Sequence, residues 1–240
     1  MNKSNRLPTL ALLSGGLATR LRPITEAIPK AMLEVAGEPF VAHQLRHAAQ
    51  HGIGTVVLCV GYLADRIEAF VGDGSAFGLR VVYSYEPPKL LGTGGALRNA
   101  LPLLGAEFLM QYGDSFLEVP YAPIVAALRQ SGKQALMTVY RNEGRWDTSN
   151  VEFVAGQIRD YDKQQRRPTM AFIDYGLGAF RAEAIGDFPA GQRFDLSDVY
   201  RSLLAKGELA GYEVRQRFYE IGSPEGLAET DRYLRARSKP

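Results

Sequence analysis

Apolar-rich runs of strand length alternate with helical patterns through the first half of the chain. Runs at 10–13, 55–60, 79–85 and 108–112 predict strands, and residues 40–50 carry apolar side chains on one helical face. Such alternation favours a largely parallel sheet with helices on both faces. Because right-handed crossovers bring the carboxyl ends of the strands to one edge, we expect the polar residues that follow them to meet there.

The second half mixes a hairpin with further strands and helices. Ala155-Gly156 separates two strand-like segments and therefore predicts the hairpin. No repeat or linker interrupts the chain, so we expect one α/β domain over 1–240, with halves at about 1–118 and 119–240, and a mixed, mostly parallel central sheet flanked by helices. Further predicted elements include strands at 31–35, 135–140, 150–154, 157–161, 173–180 and 212–217, and helices at 121–130, 196–204 and 223–235.

Composition and charge narrow the possible partners. The 240 residues are 46% apolar and 22% charged with a formal net charge of +2, which indicates neither a nucleic-acid nor a membrane partner. No apolar run approaches the ~18 residues of a membrane span, and the first residues lack a signal-peptide core, so we expect a cytoplasmic protein. The single cysteine, Cys59, excludes a disulfide within the chain and is expected to be buried in its strand.

The three histidines follow one another at four-residue spacing on the predicted helix 40–50 and just beyond it. His43, His47 and His51 lie on the face opposite the apolar residues. That spacing can bind a metal, but no carboxylate or thiol joins them locally. We therefore expect a solvated face or a subunit contact, and a homo-oligomer stays open.

The loop after the first strand has the chemistry of an anion site. Gly15-Gly16 ends an apolar strand, and Arg20, Arg22 and Lys30 follow in the loop. Glycines leave backbone N–H groups open to phosphates, arginine binds phosphate oxygens bidentately, and lysine acts as a movable point charge. The dinucleotide fingerprint G-x-G-x-x-G and the P-loop motif are both absent. This order of residues favours a cradle for a nucleoside triphosphate.

The stretch Gly15-Gly-Leu-Ala-Thr-Arg-Leu-Arg-Pro-Ile-Thr25, followed by Pro29-Lys30, resembles the opening of the sugar-1-phosphate nucleotidyltransferases. Members of this family make nucleotide-sugars from a nucleoside triphosphate and a sugar 1-phosphate. The resemblance implies a Rossmann-like, GT-A-like nucleotidyltransferase fold. It also implies catalytic roles for Arg20, on the triphosphate and the leaving pyrophosphate, and for Lys30, which would bridge the α-phosphate and the attacking phosphate.

Two acids match the positions of the family's Mg²⁺ ligands. Asp114 follows a buried strand in Tyr112-Gly-Asp-Ser115, which resembles the family's first metal aspartate. Glu220, in Phe218-Tyr-Glu-Ile-Gly-Ser-Pro224, occupies the place of a second aspartate and is one methylene longer. Mg²⁺ takes one or two carboxylates plus phosphate oxygens and water, so the pair suffices. Glu220 would ligate the ion directly or through a water.

A second group of residues matches the acceptor side of the family. Lys163 resembles the lysine that follows the family's hairpin and would hold the acceptor phosphate, with Arg167 as the alternative. Asp174 would bridge sugar hydroxyls or simply cap a turn, and Trp146 would serve as a sugar platform or as a packing anchor. The residues expected to line the sugar site are Tyr112, Asn150, Lys163, Asp174, Tyr175 and Gly176.

The nucleotide side is marked by a carboxylate and a glycine-rich helix start. Glu86 and Leu91-Gly-Thr-Gly-Gly95 resemble the family stretch in which a carboxylate and backbone groups read the base and ribose. The expected nucleotide contacts are Leu13, Gly15, Gly16, Thr19, Glu86, Gly92, Thr93, Gly94 and Gly113.

The stretch Leu91-Gly-Thr-Gly-Gly95 most resembles that of the heptose and mannose 1-phosphate guanylyltransferases. GTP and a sugar of that type are therefore the favoured substrates. Cytidylyl, uridylyl or thymidylyl transfer onto a related phosphate is the alternative within the family. A non-catalytic regulatory protein that binds nucleotide-sugars is the alternative outside catalysis. Arg20, Lys30 and Asp114 are all present, and a binding protein needs none of them, which favours the enzyme.

Overall fold

The computed structural model describes residues 7–16 and 19–237, without the side chain of Thr19. The strands are β1 (Thr9–Leu13), β2 (Glu34–Val35), β3 (Glu38–Pro39), β4 (Thr55–Val60), β5 (Arg80–Tyr85), β6 (Glu107–Tyr112), β7 (Ser115–Leu117), β8 (Ala135–Arg141), β9 (Val151–Val154), β10 (Gln157–Tyr161), β11 (Phe172–Arg181), β12 (Leu209–Val214) and β13 (Phe218–Glu220). The helices are α1 (Ile24–Ala27), α2 (Phe40–Gln50), α3 (Ala64–Val71), α4 (Gly92–Leu104), α5 (Tyr121–Ser131), α6 (Glu183–Gly186), α7 (Leu196–Ala205) and α8 (Pro224–Arg237). None of these described helices is long and apolar enough to cross a membrane.

The central sheet is parallel in its first half and mixed in its second. Strand β1 lies between β4 and β6 and is parallel to both, with β5 parallel at the edge. Beyond β6 the sheet continues through the antiparallel strand β11, which pairs with β8 and with the β9–β10 hairpin. Strand β12 adds to β8 in parallel. The predicted α/β fold and the hairpin are confirmed.

Side chains of β1 alternate between two hydrophobic cores, one on each face of the sheet. Leu10 and Leu12 pack with residues of α2, α3 and α5, whereas Ala11 packs with residues of α4, α6 and α7. Cys59 is buried in the core that contains Ala11, as expected. Since both faces are covered by helices, the carboxyl ends of β1, β4 and β6 form one open rim.

A third, smaller core supports this rim. Leu33, Phe116 and Ile221 pack there against Leu234 of α8. The core joins the segment after Lys30 to the short antiparallel pair β7–β13. We predicted neither β7 nor β13.

Two predicted strands are wrong in their bounds. The predicted strand 31–35 begins as a single helical turn, Lys30–Met32, and only Glu34–Val35 is extended. The predicted strand 212–217 lies earlier, at Leu209–Val214, where it pairs with β8 along its whole length. In both cases pairing with a neighbour decided the bounds, and a local pattern does not contain that information.

The expectation of a solvated or intersubunit histidine face is wrong for His47. Its side chain is buried, with its ring edge-on to Phe116 and Tyr121 at centroid distances of 5.5 and 5.9 Å. His43 lies within hydrogen-bonding distance of the Val35 carbonyl, at 2.7 Å from Nε2. The histidines therefore belong to the packing between α2 and its neighbours.

Candidate active site

A cavity of about 300 Å³ opens at the carboxyl ends of the parallel strands. We call it the glycine cavity. It contains most of the predicted nucleotide contacts: Leu13, Gly15, Gly16, Glu86, Gly92, Thr93 and Gly113. Gly94 lies outside it and donates its N–H to the Phe194 carbonyl at 3.1 Å, and the side chain of Thr19 is outside the described part of the chain.

One wall of the glycine cavity combines apolar side chains with a single carboxylate. Cys59, Leu90 and Ala96 provide the apolar surface, and Glu86 lies beside them. Glu86 Oε2 accepts the Leu91 backbone N–H at 2.8 Å, which fixes the carboxylate at the start of α4. Burial raises the pKa of Glu86, and the Leu91 N–H opposes that rise only in part. The arrangement suits a flat ring whose edge carries hydrogen-bond donors.

A second and larger cavity, of about 600 Å³, adjoins the first. We call it the acidic cavity because Asp114, Asp147, Asp174 and Glu220 line it. The two cavities share three residues, namely Lys30, Tyr112 and Asp114.

Lys30 and Asp114 form an ion pair where the cavities meet. Lys30 Nζ lies 2.8 Å from Asp114 Oδ2, and the lysine side chain is only 17% exposed. Burial raises the pKa of Asp114, but the Lys30 charge and the hydrogen bonds from Lys30 and Ser115 outweigh it, so the pKa lies below its usual range. Asp114 is therefore ionised at neutral pH beside a fixed positive charge.

Glu220, near the C-terminal end of the chain, lies beside the segment that carries Asp114. The β7–β13 pair aligns Glu220 with Ser115, and Ile221 donates its N–H to the Asp114 carbonyl at 2.9 Å. The Glu220 carboxylate accepts the Ser223 hydroxyl at 2.8 Å and the Gly222 N–H. These donors hold the carboxylate in the turn that starts α8.

Gly222 leaves room where these groups converge. A Cβ on Gly222 would lie 2.5 Å from Glu220 Oε2 and 3.2 Å from Lys30 Nζ. No group of three or more His, Cys, Asp or Glu side chains suited to a metal occurs in the described residues. Asp114 at the junction and Glu220 in the wall of the acidic cavity nevertheless supply the one or two carboxylates of a hard ion that takes its other ligands from phosphates and water.

The predicted acceptor residues gather in the acidic cavity. Lys163 Nζ donates to the Tyr112 hydroxyl at 3.2 Å. Asn150 Oδ1 accepts the Asp174 backbone N–H at 2.9 Å, and Asp174 in turn accepts the Tyr161 hydroxyl at 3.3 Å. Burial raises the pKa of Asp174, and the Lys163 charge offsets that rise in part.

The predicted turn at Asp174-Tyr-Gly176 is a bulge inside β11, where the register with β8 shifts. Gly176 has φ +93°, and a Cβ there would lie 3.1 Å from the Tyr112 ring. Its backbone conformation and the close ring both require glycine. The bulge turns the Asp174 carboxylate back to accept the Gly176 N–H at 3.1 Å. Tyr175 lines the cavity and packs its ring against Tyr140 and Phe218.

The two candidate arginines lie in different surroundings. Arg20 is exposed and lines the acidic cavity rather than the glycine cavity. Arg167, the alternative to Lys163, forms an ion pair with Asp160 and lines neither of the two cavities. Lys163, unlike Arg167, therefore lines the cavity where the predicted acceptor residues lie.

Trp146 is 45% exposed and belongs to the loop that carries Asp147 and Thr148 into the acidic cavity. The Arg217 guanidinium stacks on the Trp146 ring at 3.3 Å from its centroid, and Glu229 accepts from Arg217 at 2.9 and 2.5 Å. Sequence reasoning missed Asp147 and Thr148. Their only signal was their place just before Asn150.

Comparisons with known proteins agree with the geometry. The family model described as "Nucleotidyl transferase" matches residues 11–150, more than half of the chain. An N-acetylmuramate alpha-1-phosphate uridylyltransferase of Caulobacter vibrioides is 31% identical over 233 residues, with 92% of this chain and 95% of the relative covered. A mannose-1-phosphate guanylyltransferase of Mycobacterium tuberculosis is 32% identical over 223 residues, with 89% of this chain and 61% of the relative covered.

Among solved structures, HddC from Yersinia pseudotuberculosis in complex with GMP-PN superposes with a TM-score of 0.79. It is 22% identical and the match covers 95% of this chain and 100% of that one, which is a likeness of fold. The family match and the two relatives lead to one conclusion. The chain belongs to the nucleotidyl transferase family, within the sugar-1-phosphate nucleotidyltransferases that its opening loop resembles.

Proposed function

We propose that this protein transfers GMP from GTP to a neutral sugar 1-phosphate, of the mannose or heptose type, and releases pyrophosphate. The observation that carries the proposal is the Lys30–Asp114 pair, which lies where an apolar, glycine-lined cavity meets a polar one. A nucleotide in the glycine cavity and a sugar phosphate in the acidic cavity would bring their phosphates together at this pair.

The reaction requires an oxygen of the sugar phosphate to attack the α-phosphorus of the triphosphate. Because both reactants are anions, positioning and charge neutralisation dominate the catalysis. Lys30 would contact both phosphates from the junction, and Arg20 and Lys163 line the acidic cavity. No covalent nucleophile is required, since the attacking phosphate oxygen is already ionised near neutral pH.

Asp114 and Glu220 would hold Mg²⁺ at the junction. When bound, the ion would neutralise charge on the triphosphate. Asp114 keeps its charge because Lys30 lowers its pKa, and the donors around Glu220 fix that carboxylate in place. Both carboxylates keep lone pairs that can bind an ion.

The choice of GTP rests on Glu86. An ionised carboxylate only accepts hydrogen bonds, and guanine presents its N1–H and N2–H₂ donors side by side. Uracil presents one N–H between two carbonyl oxygens, which a carboxylate repels. Glu86 is held at the apolar wall of the glycine cavity by the Leu91 N–H, so guanine is the better complement.

The choice of a neutral sugar rests on the charges of the acidic cavity. Its cations, Arg20, Lys30 and Lys163, are assigned to phosphate. Asp147 and Asp174 remain for the sugar, and carboxylates accept hydrogen bonds from hydroxyl groups. An acceptor with its own carboxylate, such as N-acetylmuramate 1-phosphate, would be repelled by these two acids.

Pyrophosphate release over a grid of triphosphates and sugar 1-phosphates tests the proposal. ATP, CTP, GTP, UTP and dTTP are each combined with mannose, glucose, heptose and N-acetylmuramate 1-phosphates in the presence of Mg²⁺. We expect the highest kcat/KM with GTP and mannose or heptose 1-phosphate. A protein that is silent across the grid, yet stabilised against heat by one nucleotide, would be a binding protein instead.

A further inference from the structure

Asp195 lies between the two cavities and lines neither of them. It is the residue before α7. Thr93, in the wall of the glycine cavity, donates its hydroxyl to Asp195 Oδ2 at 3.0 Å. Lys163, in the acidic cavity, has its Nζ 3.6 Å from Asp195 Oδ1. One carboxylate therefore contacts a residue of each cavity.

Capping of α7 does not explain the charge of Asp195. Its side chain accepts the Ser197 N–H at 2.8 Å and completes a capping box with Asp198. An N-cap needs an acceptor oxygen, and asparagine or serine provides one as well as aspartate does. The negative charge is directed at Lys163, the one cation within ion-pair distance of Asp195 in the described part of the chain.

Asp195 is also fixed to the wall of the glycine cavity. The preceding residue, Phe194, accepts the N–H groups of Gly94 and Gly95 at 3.1 and 3.2 Å and donates its own N–H to the Leu91 carbonyl at 3.0 Å. Leu196 donates its N–H to the Thr93 hydroxyl at 2.9 Å. Asp195 therefore keeps a constant position relative to the start of α4.

Lys163 needs such a partner because its side chain is long and 35% exposed. The Tyr112 hydroxyl is one anchor, at 3.2 Å, and Asp195 is the second. Burial raises the pKa of Asp195, but Lys163 and the donors Ser197 and Thr93 outweigh it, and the pKa falls below its usual range. The carboxylate is therefore charged at neutral pH.

We propose that Asp195 is a positioning residue, which fixes the Lys163 ammonium relative to the glycine cavity. Lys163 would then hold the acceptor phosphate at a constant distance from a nucleotide bound beside Thr93. The inference rests on the proposed function, because Lys163 acts only if the acidic cavity takes a phosphate. The effect should appear in the use of the acceptor and not of the nucleotide.

Asp195→Asn tests this, with Asp198→Asn as the matched control from the same capping box. Asparagine keeps one acceptor oxygen for the Ser197 N–H and presents an NH₂ group to the Thr93 hydroxyl, which can accept from it, so both contacts can persist while the charge is lost. We expect Asp195→Asn to lower kcat/KM for mannose 1-phosphate about tenfold through KM, within the range of coupled pairs. KM for GTP and the melting temperature should stay close to wild type, and Asp198→Asn should match wild type in all three.

The same substitution in a Lys163→Met background supplies the decisive comparison. There, Asp195→Asn should have no further effect on the acceptor KM. An undiminished effect in that background, a parallel loss for GTP, or an Asp195→Asn protein identical to Asp198→Asn would overturn the proposal. A wild-type protein silent on the substrate grid would instead refute the proposed function, and this inference with it, before any variant is measured.

Discussion

Ile221 donates its backbone N–H to the carbonyl of Asp114 at 2.9 Å, and this bond joins two distant parts of the chain at the candidate active site. It continues the β7–β13 pair by one residue, so that Glu220 lies beside Ser115. Ile221 is fully buried in the small core formed with Leu33, Phe116 and Leu234, which stabilises its position. The separation of the two acids is thus set by backbone pairing rather than by flexible side chains.

Lys30→Ala should abolish turnover and leave GTP binding largely intact. Lys30 lies at the junction of the cavities, where the proposed reaction would develop charge, and away from the proposed base site. We expect kcat to fall about 100-fold or more, as for loss of other groups that stabilise a transition state. Turnover and calorimetric GTP binding are the two measurements. Lys206→Ala, at an exposed lysine after α7, should match wild type in both.

Asp114→Asn should shift the magnesium requirement to much higher concentration or eliminate activity. The neutral amide is a poorer ligand for Mg²⁺, and it leaves Lys30 without its ion-pair partner. Activity is titrated against Mg²⁺ for wild type, Asp114→Asn and Glu220→Gln, with the exposed Asp187→Asn as control. Asp114→Asn with the wild-type titration curve would refute the metal assignment.

Glu86→Gln should reduce the preference for GTP over UTP. The amide presents both a donor and an acceptor, so it accepts a uracil edge that the carboxylate repels. We expect the ratio of kcat/KM for GTP to that for UTP to fall about tenfold, by the loss of one charge-assisted contact. An unchanged ratio would remove Glu86 from base recognition. Glu68→Gln, at a carboxylate in α3 that lines neither cavity, is the control.

Arg217→Lys should impair use of the sugar phosphate without affecting GTP. The lysine cannot stack on Trp146 and bind Glu229 bidentately at the same time. The loop that carries Asp147 and Thr148 then loses its anchor, at a cost of about 1 kcal/mol for the lost stacking. KM values for both substrates are the measurement. An equal rise in both would indicate general destabilisation instead.

His47 should make stability depend on pH below neutrality. Burial, with smaller effects from His51 and Arg237, lowers the pKa of His47 from 6.5 to about 4 against an opposing hydrogen bond to Val119. His47 therefore binds a proton more readily in the unfolded chain. Its contribution to the free energy of unfolding is complete above pH 6.5 and is lost as the pH falls towards 4. The loss amounts to about 3 kcal/mol.

Urea unfolding of wild type and His47→Gln across that range isolates the contribution, because other titrating groups affect both proteins. The free energy of unfolding of His47→Gln should fall by about 3 kcal/mol less than that of wild type as the pH is lowered from 6.5 to 4. His51→Gln should retain most of the slope. Parallel curves for wild type and His47→Gln would contradict the buried, neutral state.

The parallel half of the fold could be predicted because its signals are local. Strand β1 reads as a continuous apolar run, and the ends of β4 and α2 coincide with their predicted limits. The capping box that begins α7 at Asp195 is likewise local in sequence. The resemblance to the family identified residues that the fold brings to one rim, including Lys30 and Asp114.

The rest depends on contacts between distant segments. Strands of three residues such as β7 and β13 carry no periodic signal, so the bond between Ile221 and Asp114 could not be predicted. The link from Asp195 to Thr93 and Lys163 joins three separate elements. Burial of His47 likewise depends on rings that β7 and α5 supply.

The fate of the α-phosphorus tests the central claim most directly. The protein is incubated with GTP labelled at the α-phosphate, mannose or heptose 1-phosphate and Mg²⁺, and the label and the pyrophosphate are both quantified. The account predicts that the label passes into a nucleotide-sugar in amounts equal to the pyrophosphate released, and that Lys30→Ala prevents both. Label that stays in GTP, or inorganic phosphate in place of pyrophosphate, would contradict it.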